Sequence, residues 1–109
     1  MTLESLIQRD GGTCVWCGAQ PWVDDLSADH LLPRARSGRG LPENLALACR
    51  RCNRRRSATS VAAYVRTMRA EGLTPRLDLI TVALERLSSS QSRPHAAYAR
   101  RQLRLLERL

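Results

Sequence analysis

The sequence contains no lysine, so arginine provides all of its positive charge. Its 109 residues include 18 arginines and 10 acidic residues, and the formal net charge at pH 7 is +8. A surface this basic favours polyanions, because neutralising phosphates releases their condensed counterions. The competing interpretation is a solvated, arginine-rich surface with no nucleic-acid partner. Charge alone therefore leaves DNA binding open.

Aromatic residues are also scarce. There is no phenylalanine, and the only aromatic residues are Trp16, Trp22, Tyr64 and Tyr98. A compact core in the first half of the chain would be marginal without a cross-link, so a bound metal is expected to supply folding free energy there. We expect both tryptophans to pack within the cysteine-rich segment and not to stack on bases.

Long apolar runs are missing as well. No run approaches the roughly 18 residues that span a bilayer. Residues 1–9 have no basic start, no apolar stretch and no small-residue cleavage site. We therefore expect a cytoplasmic protein without membrane contact, whose thiols stay reduced.

The four cysteines form two Cys-x-x-Cys pairs, Cys14/Cys17 and Cys49/Cys52. Each pair can bind one side of a zinc ion, and together they supply a tetrahedral thiolate set. Two disulfides in a secreted protein are the alternative that four cysteines in a short chain allow. The paired spacing and the expected compartment favour structural Zn²⁺.

Polar residues suited to hydrolysis lie between and beside these pairs. His30 is the only side chain there whose ordinary pKa is near neutrality, which makes it the natural general base. Asp29 is a hard oxygen ligand suited to Mg²⁺ or Mn²⁺. Adjacent strand residues point to opposite faces, so the two can share one site only if the strand bends or ends there.

The order Asp29-His30, Ser37-Gly38, Asn44, Cys49-x-x-Cys52 and Asn53 closely resembles the HNH endonuclease family, also called ββα-metal or His-Me finger nucleases. The resemblance covers residues 14 to about 57. It implies an α+β fold with a zinc-stabilised ββα-metal module, which we place at residues 1–58. The apolar pattern of residues 59–109 predicts a helical C-terminal extension. The family usually has two glycines where this chain has Ser37-Gly38, which leaves the backbone path of that loop open.

The resemblance also implies roles for single residues. His30 would deprotonate the attacking water, and Asn44 would steady the loop and the orientation of His30. Asp29 and Asn53 would hold one catalytic Mg²⁺ or Mn²⁺ ion. Cleavage would leave 5′-phosphate and 3′-hydroxyl ends on DNA, with Arg34 and Arg54 as the favoured phosphate contacts.

Each of these residues also has a plain structural interpretation. Asp29 could be a cap, Asn44 a turn residue and Asn53 an ordinary helix residue. The alternatives to a metal-dependent DNA endonuclease are a non-catalytic zinc module that binds nucleic acid, and an assembly adaptor. The joint arrangement favours the endonuclease, because binding alone needs only arginines.

The pattern along the chain predicts the elements that carry these residues. We expect a short helix over residues 2–9, strands over 26–32 and 45–48, a loop over 33–43, and a helix from Arg50. Its arginines at 50, 51 and 54–56 are candidate phosphate contacts, about half of which should point elsewhere.

The C-terminal half is predicted to form three helices. The first covers residues 61–71 with Ser60 as its N-cap, the second starts at Thr74-Pro75 with Thr74 as the cap, and the third covers residues 94–109. Their leucine stripes favour packing, or homodimerisation through these helices, over DNA reading. His95 is expected to be an ordinary surface residue.

Overall fold

The computed structural model describes all 109 residues and has an α+β fold, which confirms the predicted class. It contains one two-stranded antiparallel sheet and five α-helices. In chain order the elements are α1 (Leu3–Asp10), β1 (Leu26–His30), β2 (Leu45–Cys49), α2 (Arg50–Arg56), α3 (Val61–Ala70), α4 (Leu77–Ser88) and α5 (Arg93–Glu107). None of the helices combines the length and apolar character needed to cross a lipid bilayer.

The sheet register decides which way the site residues face. Asp29 pairs with Ala46, and His30 pairs with Leu45 at the end of β1. Every residue of β2 is buried, because helices cover both faces of this strand. Leu45 and Leu47 pack with Leu6 of α1 in a small cluster, whereas Ala46 and Ala48 belong to the main core.

The end of α1 satisfies the outer edge of β2. The Arg9 guanidinium donates to the carbonyl oxygen of Leu45 at 2.6 Å, and the Asp10 carboxylate accepts the N–H of Leu47 at 3.1 Å. Unpaired backbone groups on an edge strand otherwise invite pairing with other chains. The first helix therefore protects the sheet that carries the site.

The main core is continuous across residue 58. It joins Trp16 and Leu31 to side chains of all three C-terminal helices, among them Tyr64, Leu84 and Ala99. The leucines at 103 and 106 of α5 are partly buried against the same cluster. The division at residue 58 and homodimerisation through these helices stay predictions.

One predicted helix start is wrong. Helix α4 begins at Leu77 with Arg76 in the N-cap position, and Thr74 lies outside it. The N–H of Arg76 donates to the carbonyl oxygen of Trp16 at 2.8 Å, while the Arg76 carbonyl accepts from Ile80. A long-range bond to the first cysteine pair, invisible in local propensity, thus sets where the helix starts.

The loop between the strands turns at Ser37-Gly38. Ser37 adopts a left-handed conformation with φ 71°, where glycine is usually favoured. A Cβ on Gly38 would lie 1.7 Å from the carbonyl oxygen of Leu32, so only glycine fits at that position. The chain therefore keeps the glycine that the turn requires and tolerates serine at the residue before it.

Candidate active site

A cleft of about 250 Å³ lies at the end of β1. It is lined by Ala28, Asp29, His30, Pro33, Arg34, Ala35, Asn53, Ser57 and Ala58. The strand ends at His30, so neighbouring residues that point to opposite faces can both border the same cleft. The structure therefore brings Asp29, His30 and Asn53 together.

The His30 imidazole is half-buried, and neither of its ring nitrogens has a hydrogen-bond partner within the chain. Burial lowers the pKa of His30, and the charge of Arg34 lowers it further, against an opposing effect of Asp29. The ring is accordingly neutral at pH 7. It can accept a proton from a group that enters the cleft.

Asn53 lies on α2 and is oriented by β1. Its Nδ2 donates to Ser27 Oγ at 2.9 Å and to the carbonyl oxygen of Ala28 at 3.2 Å. Both bonds use the amide nitrogen, so Oδ1 is left without a partner in the chain. An amide oxygen fixed in this way is a suitable ligand for a hard cation.

Asp29 is almost fully buried and is held on its inner side. One carboxylate oxygen accepts from Arg56 at 2.9 Å, and the other accepts from the Trp16 indole at 2.9 Å. Burial raises the pKa of Asp29, although Arg56 and Trp16 act in the opposite direction. Each carboxylate oxygen keeps further lone pairs for another contact.

The cleft offers the donor chemistry that Mg²⁺ or Mn²⁺ requires. Asp29 is its only acidic residue, and Asn53 and Ser57 contribute neutral oxygens. Magnesium sites commonly use one or two carboxylates and take their remaining ligands from water and substrate phosphate. The residues therefore fit a divalent ion that binds together with its substrate.

Asn44 lies behind the cleft and is completely buried. Its Oδ1 accepts the N–H of Leu32 at 2.9 Å, and its Nδ2 donates to the carbonyl oxygens of Leu32 and Arg39 at 3.1 and 2.8 Å. These bonds tie both ends of the loop that follows His30. The side chain can thus position the loop without reaching a substrate.

The four cysteines gather into one cluster at the start of α2. The sulfurs of Cys14, Cys17, Cys49 and Cys52 all lie within 4.8 Å of one another. Tetrahedral zinc with Zn–S bonds of about 2.3 Å needs sulfurs roughly 4 Å apart, and Cys17 and Cys49 are 3.9 Å apart. A hydrogen bond with Cys52 lowers the pKa of Cys14 to about 5, which favours a thiolate there. The cluster suits a structural metal ion such as zinc.

Comparison with known families agrees with this geometry. Residues 14–59 match the sequence profile of the family described as HNH endonuclease. The match begins at the first cysteine of the cluster and ends just beyond α2. Residues 14–59 are an HNH domain.

A curated relative supports the same assignment. The chain is 32% identical over 69 residues to the CRISPR-associated endonuclease Cas9 of Corynebacterium diphtheriae. The similarity covers 62% of this chain but 6% of that protein. The chain thus spans a small fraction of the relative's length.

The arginines at 34, 50, 51 and 54–56 lie in three different environments. Arg34 borders the cleft, and Arg50, Arg51 and Arg54 line a neighbouring groove of about 720 Å³ that shares Asn53 with it. Arg55 pairs with Glu71. Arg56 is completely buried, so it is one of the candidate phosphate contacts that point elsewhere.

Arg56 instead fixes the end of β1. Its NH1 donates to Asp29 and to the carbonyl oxygen of His30, and its NH2 donates to the carbonyl oxygen of Leu31. The guanidinium also lies over the Trp16 ring, 5.1 Å from the centroid. Nothing in the run of arginines at 54–56 distinguishes the buried one, because these partners on and after β1 lie 25 to 27 residues away.

Two further expectations are wrong. Trp22 is 85% exposed, whereas Trp16 packs edge-on against Tyr64 as expected for a core residue. His95, expected on the surface, is 1% exposed and contacts the loop of the HNH domain. No local signal in the sequence marks the burial of His95, because its loop partner Arg39 lies 56 residues away along the chain.

Proposed function

We propose that this chain is a metal-dependent DNA endonuclease in which His30 is the general base. The observation that carries the proposal is the single cleft lined by His30, Asp29 and Asn53. A neutral imidazole without an internal partner stands there beside one carboxylate and one unpartnered amide oxygen. Binding alone would not require this combination.

The reaction is the hydrolysis of a phosphodiester. His30 takes a proton from a water molecule as the water oxygen attacks phosphorus, and the bond from phosphorus to the 3′ oxygen breaks. The departing oxygen takes a proton from solvent, leaving 5′-phosphate and 3′-hydroxyl ends. Asn44 does not touch the reacting atoms but holds the loop that follows His30.

Two kinds of metal ion belong to this proposal. Zn²⁺ bound by the four cysteines is structural, since it joins the segment before β1 to the start of α2. Mg²⁺ or Mn²⁺ held by Asp29 and Asn53 would supply positive charge beside the scissile phosphate and the leaving oxygen. Arg56, which holds Asp29 from the inner side, is fully buried and pairs with that carboxylate at 2.9 Å.

DNA would bind across the cleft and the adjoining groove. Arg34 borders the cleft, Arg54 borders the groove, and both side chains are exposed. Guanidinium groups on both sides of Asn53 can contact successive phosphates and hold the strand in register. The net charge of +8 adds a sequence-independent attraction.

Plasmid nicking tests the proposal directly. Supercoiled plasmid is incubated with the full chain and Mg²⁺ or Mn²⁺, and nicked product is followed on a gel. We expect nicking that is lost in His30→Ala while DNA binding is retained. The control is Arg104→Ala, an exposed change on α5 that should leave nicking unchanged. Nicking that survives in His30→Ala rules out the role of His30.

A non-catalytic nucleic-acid-binding module is the second candidate. The observation that favours it is the Asp29–Arg56 ion pair, because a carboxylate already paired with a guanidinium attracts a cation less strongly. Plasmid binding without nicking, in every divalent ion offered, would support this candidate over the endonuclease.

A further inference from the structure

Helix α5 lies outside the HNH domain yet holds the loop that borders His30. Its contact is His95, which is buried and separated from its loop partner by 56 residues of chain. The Nε2 of His95 accepts the N–H of Arg39 at 3.0 Å. A histidine buried to this degree requires partners for both ring nitrogens.

The partners of the two ring nitrogens together fix the tautomer. Nδ1 of His95 lies 2.6 Å from Ser92 Oγ, at the N-cap of α5. Because Nε2 accepts a hydrogen bond, the neutral ring carries its proton on Nδ1, and this N–H donates a hydrogen bond to Ser92 Oγ. A side chain that lacks an acceptor at the position of Nε2 would leave the N–H of Arg39 without a partner.

The Arg39 peptide is held from two sides. Its N–H is bound by His95, and its carbonyl oxygen accepts from Asn44 Nδ2 at 2.8 Å. The next residue, Gly40, lies against the proposed base, since a Cβ built there would be 4.0 Å from Nε2 of His30. Movement of Arg39 would therefore move the wall beside the ring of His30.

A second bond from α5 fixes the other end of the same loop. The Tyr98 hydroxyl donates to the carbonyl oxygen of Leu31 at 2.8 Å and accepts the N–H of Val61 at 3.1 Å. Leu31 directly follows His30, so α5 contacts the chain next to His30 and again at Arg39. Both contacts come from residues beyond position 59.

We propose that His95 is a positioning residue for His30, acting through Arg39 and Gly40, so that helix α5 completes the active site of the HNH domain. The proposal rests on the proposed function, since placement of His30 affects a rate only if His30 accepts the proton. Gln102 provides a matched control. It is a buried polar residue on the same helix that accepts the N–H of Ala62 at 2.8 Å and forms no hydrogen bond with the loop.

Nicking of supercoiled plasmid would be measured for His95→Leu, His95→Gln and Gln102→Leu, with thermal unfolding as the measure of folding. A misplaced base should reduce kcat in His95→Leu about 10- to 100-fold, with KM for plasmid unchanged within about twofold. His95→Gln should restore most of kcat, because its amide oxygen can accept the N–H of Arg39. An equal loss of kcat in Gln102→Leu, or no recovery in His95→Gln, would overturn the proposal.

Imidazole NMR separates this inference from the proposed function. The chain has two histidines, so His30 gives the only imidazole signals in a His95 variant. We expect these signals to shift and broaden in His95→Leu, and the His30 signals to stay unchanged in Gln102→Leu. If the His30 signals of folded His95→Leu are the same as those of the wild-type protein, the positioning role of His95 is contradicted. If the wild-type protein nicks no plasmid, the endonuclease proposal fails, while the spectra still decide whether His95 places His30.

Discussion

Arg56 combines two structural roles in one side chain. Its guanidinium is fully buried, compensates the charge of Asp29 and caps the carbonyl oxygens at the end of β1. Desolvating two charges is costly, and good geometry with additional hydrogen bonds offsets that cost. Stability at the site therefore depends on the pair and not on either residue alone.

Replacing Arg56 by methionine tests this dependence. Arg56→Met leaves the Asp29 carboxylate buried without its partner, so we expect a loss of about 3–5 kcal/mol in the free energy of unfolding. Urea unfolding followed by circular dichroism measures it. The control is Arg55→Met, which breaks an exposed pair with Glu71 and should lose less than about 1 kcal/mol. Equal losses in the two variants would contradict the assignment.

At the scale of elements, the cysteine cluster brings together two parts of the chain that lie far apart in sequence. It connects the turn at Cys14–Cys17 to β2 and the start of α2, next to the buried Trp16. With so few aromatic residues, this region has little apolar area to bury. The metal is therefore expected to contribute directly to folding.

Removal of the metal should unfold the HNH domain. In a Trp22→Phe background, fluorescence reports on Trp16 alone, because these are the only two tryptophans. We expect Cys49→Ser, or treatment with a strong zinc chelator, to shift the emission of Trp16 to the red as the ring becomes exposed. The untreated Trp22→Phe protein, with one zinc per chain, is the reference. A metal-free Cys49→Ser protein whose emission stays unshifted would contradict a structural metal.

The contact between α5 and the loop should also make stability depend on pH. Burial and the charge of Arg39 lower the pKa of His95 below its ordinary value of 6.5, with Glu43 opposing them. The unfolded chain then binds the proton more readily, so this contribution is complete above pH 6.5 and is lost as pH falls towards the lowered pKa.

Urea unfolding at pH 7.5 and 5.5 measures this effect. The pKa of His30 is lowered as well, so the comparison is made in a His30→Ala background. We expect the free energy of unfolding to fall between the two pH values, and His95→Gln to make that fall smaller. An equal fall with and without His95 would assign the pH dependence to other groups.

At the scale of the whole molecule, 18 arginines make the protein strongly basic. Arginines at different positions are expected to contribute differently to DNA binding. Some border the cleft and groove around Asn53, whereas Arg104 and others lie exposed on α5. Net attraction to DNA depends on the total charge, and register on the duplex depends on the arginines near the site.

Salt-dependent DNA binding distinguishes the two groups of arginines. In a His30→Ala background, Arg54→Ala should weaken binding to a labelled duplex and reduce the slope of log affinity against log salt by about 1. Fluorescence anisotropy across a salt series provides the slope. Arg104→Ala should leave the slope unchanged. A larger reduction for Arg104→Ala would place the DNA on the C-terminal helices.

Much of the HNH domain could be read from local sequence. The spacing of the cysteine pairs indicated a metal cluster, because a Cys-x-x-Cys turn brings two sulfurs to one side of an ion. Apolar periodicity and turn residues placed both strands and α2 close to their observed bounds. The predicted start of α4 at Thr74 was wrong, because a backbone hydrogen bond between Arg76 and Trp16, and not the capping preference of Thr74, accompanies the observed start.

The sequence by itself determined the family of residues 14–59 and the order of the residues that now line one cleft. Only the tertiary structure decided that Arg56 is buried against Asp29, and that His95 contacts the loop beside His30. These partners lie 27 and 56 residues apart along the chain. Local patterns record the period of an element, whereas a buried polar side chain is explained by its partner, and the partner is known only once the chain has folded.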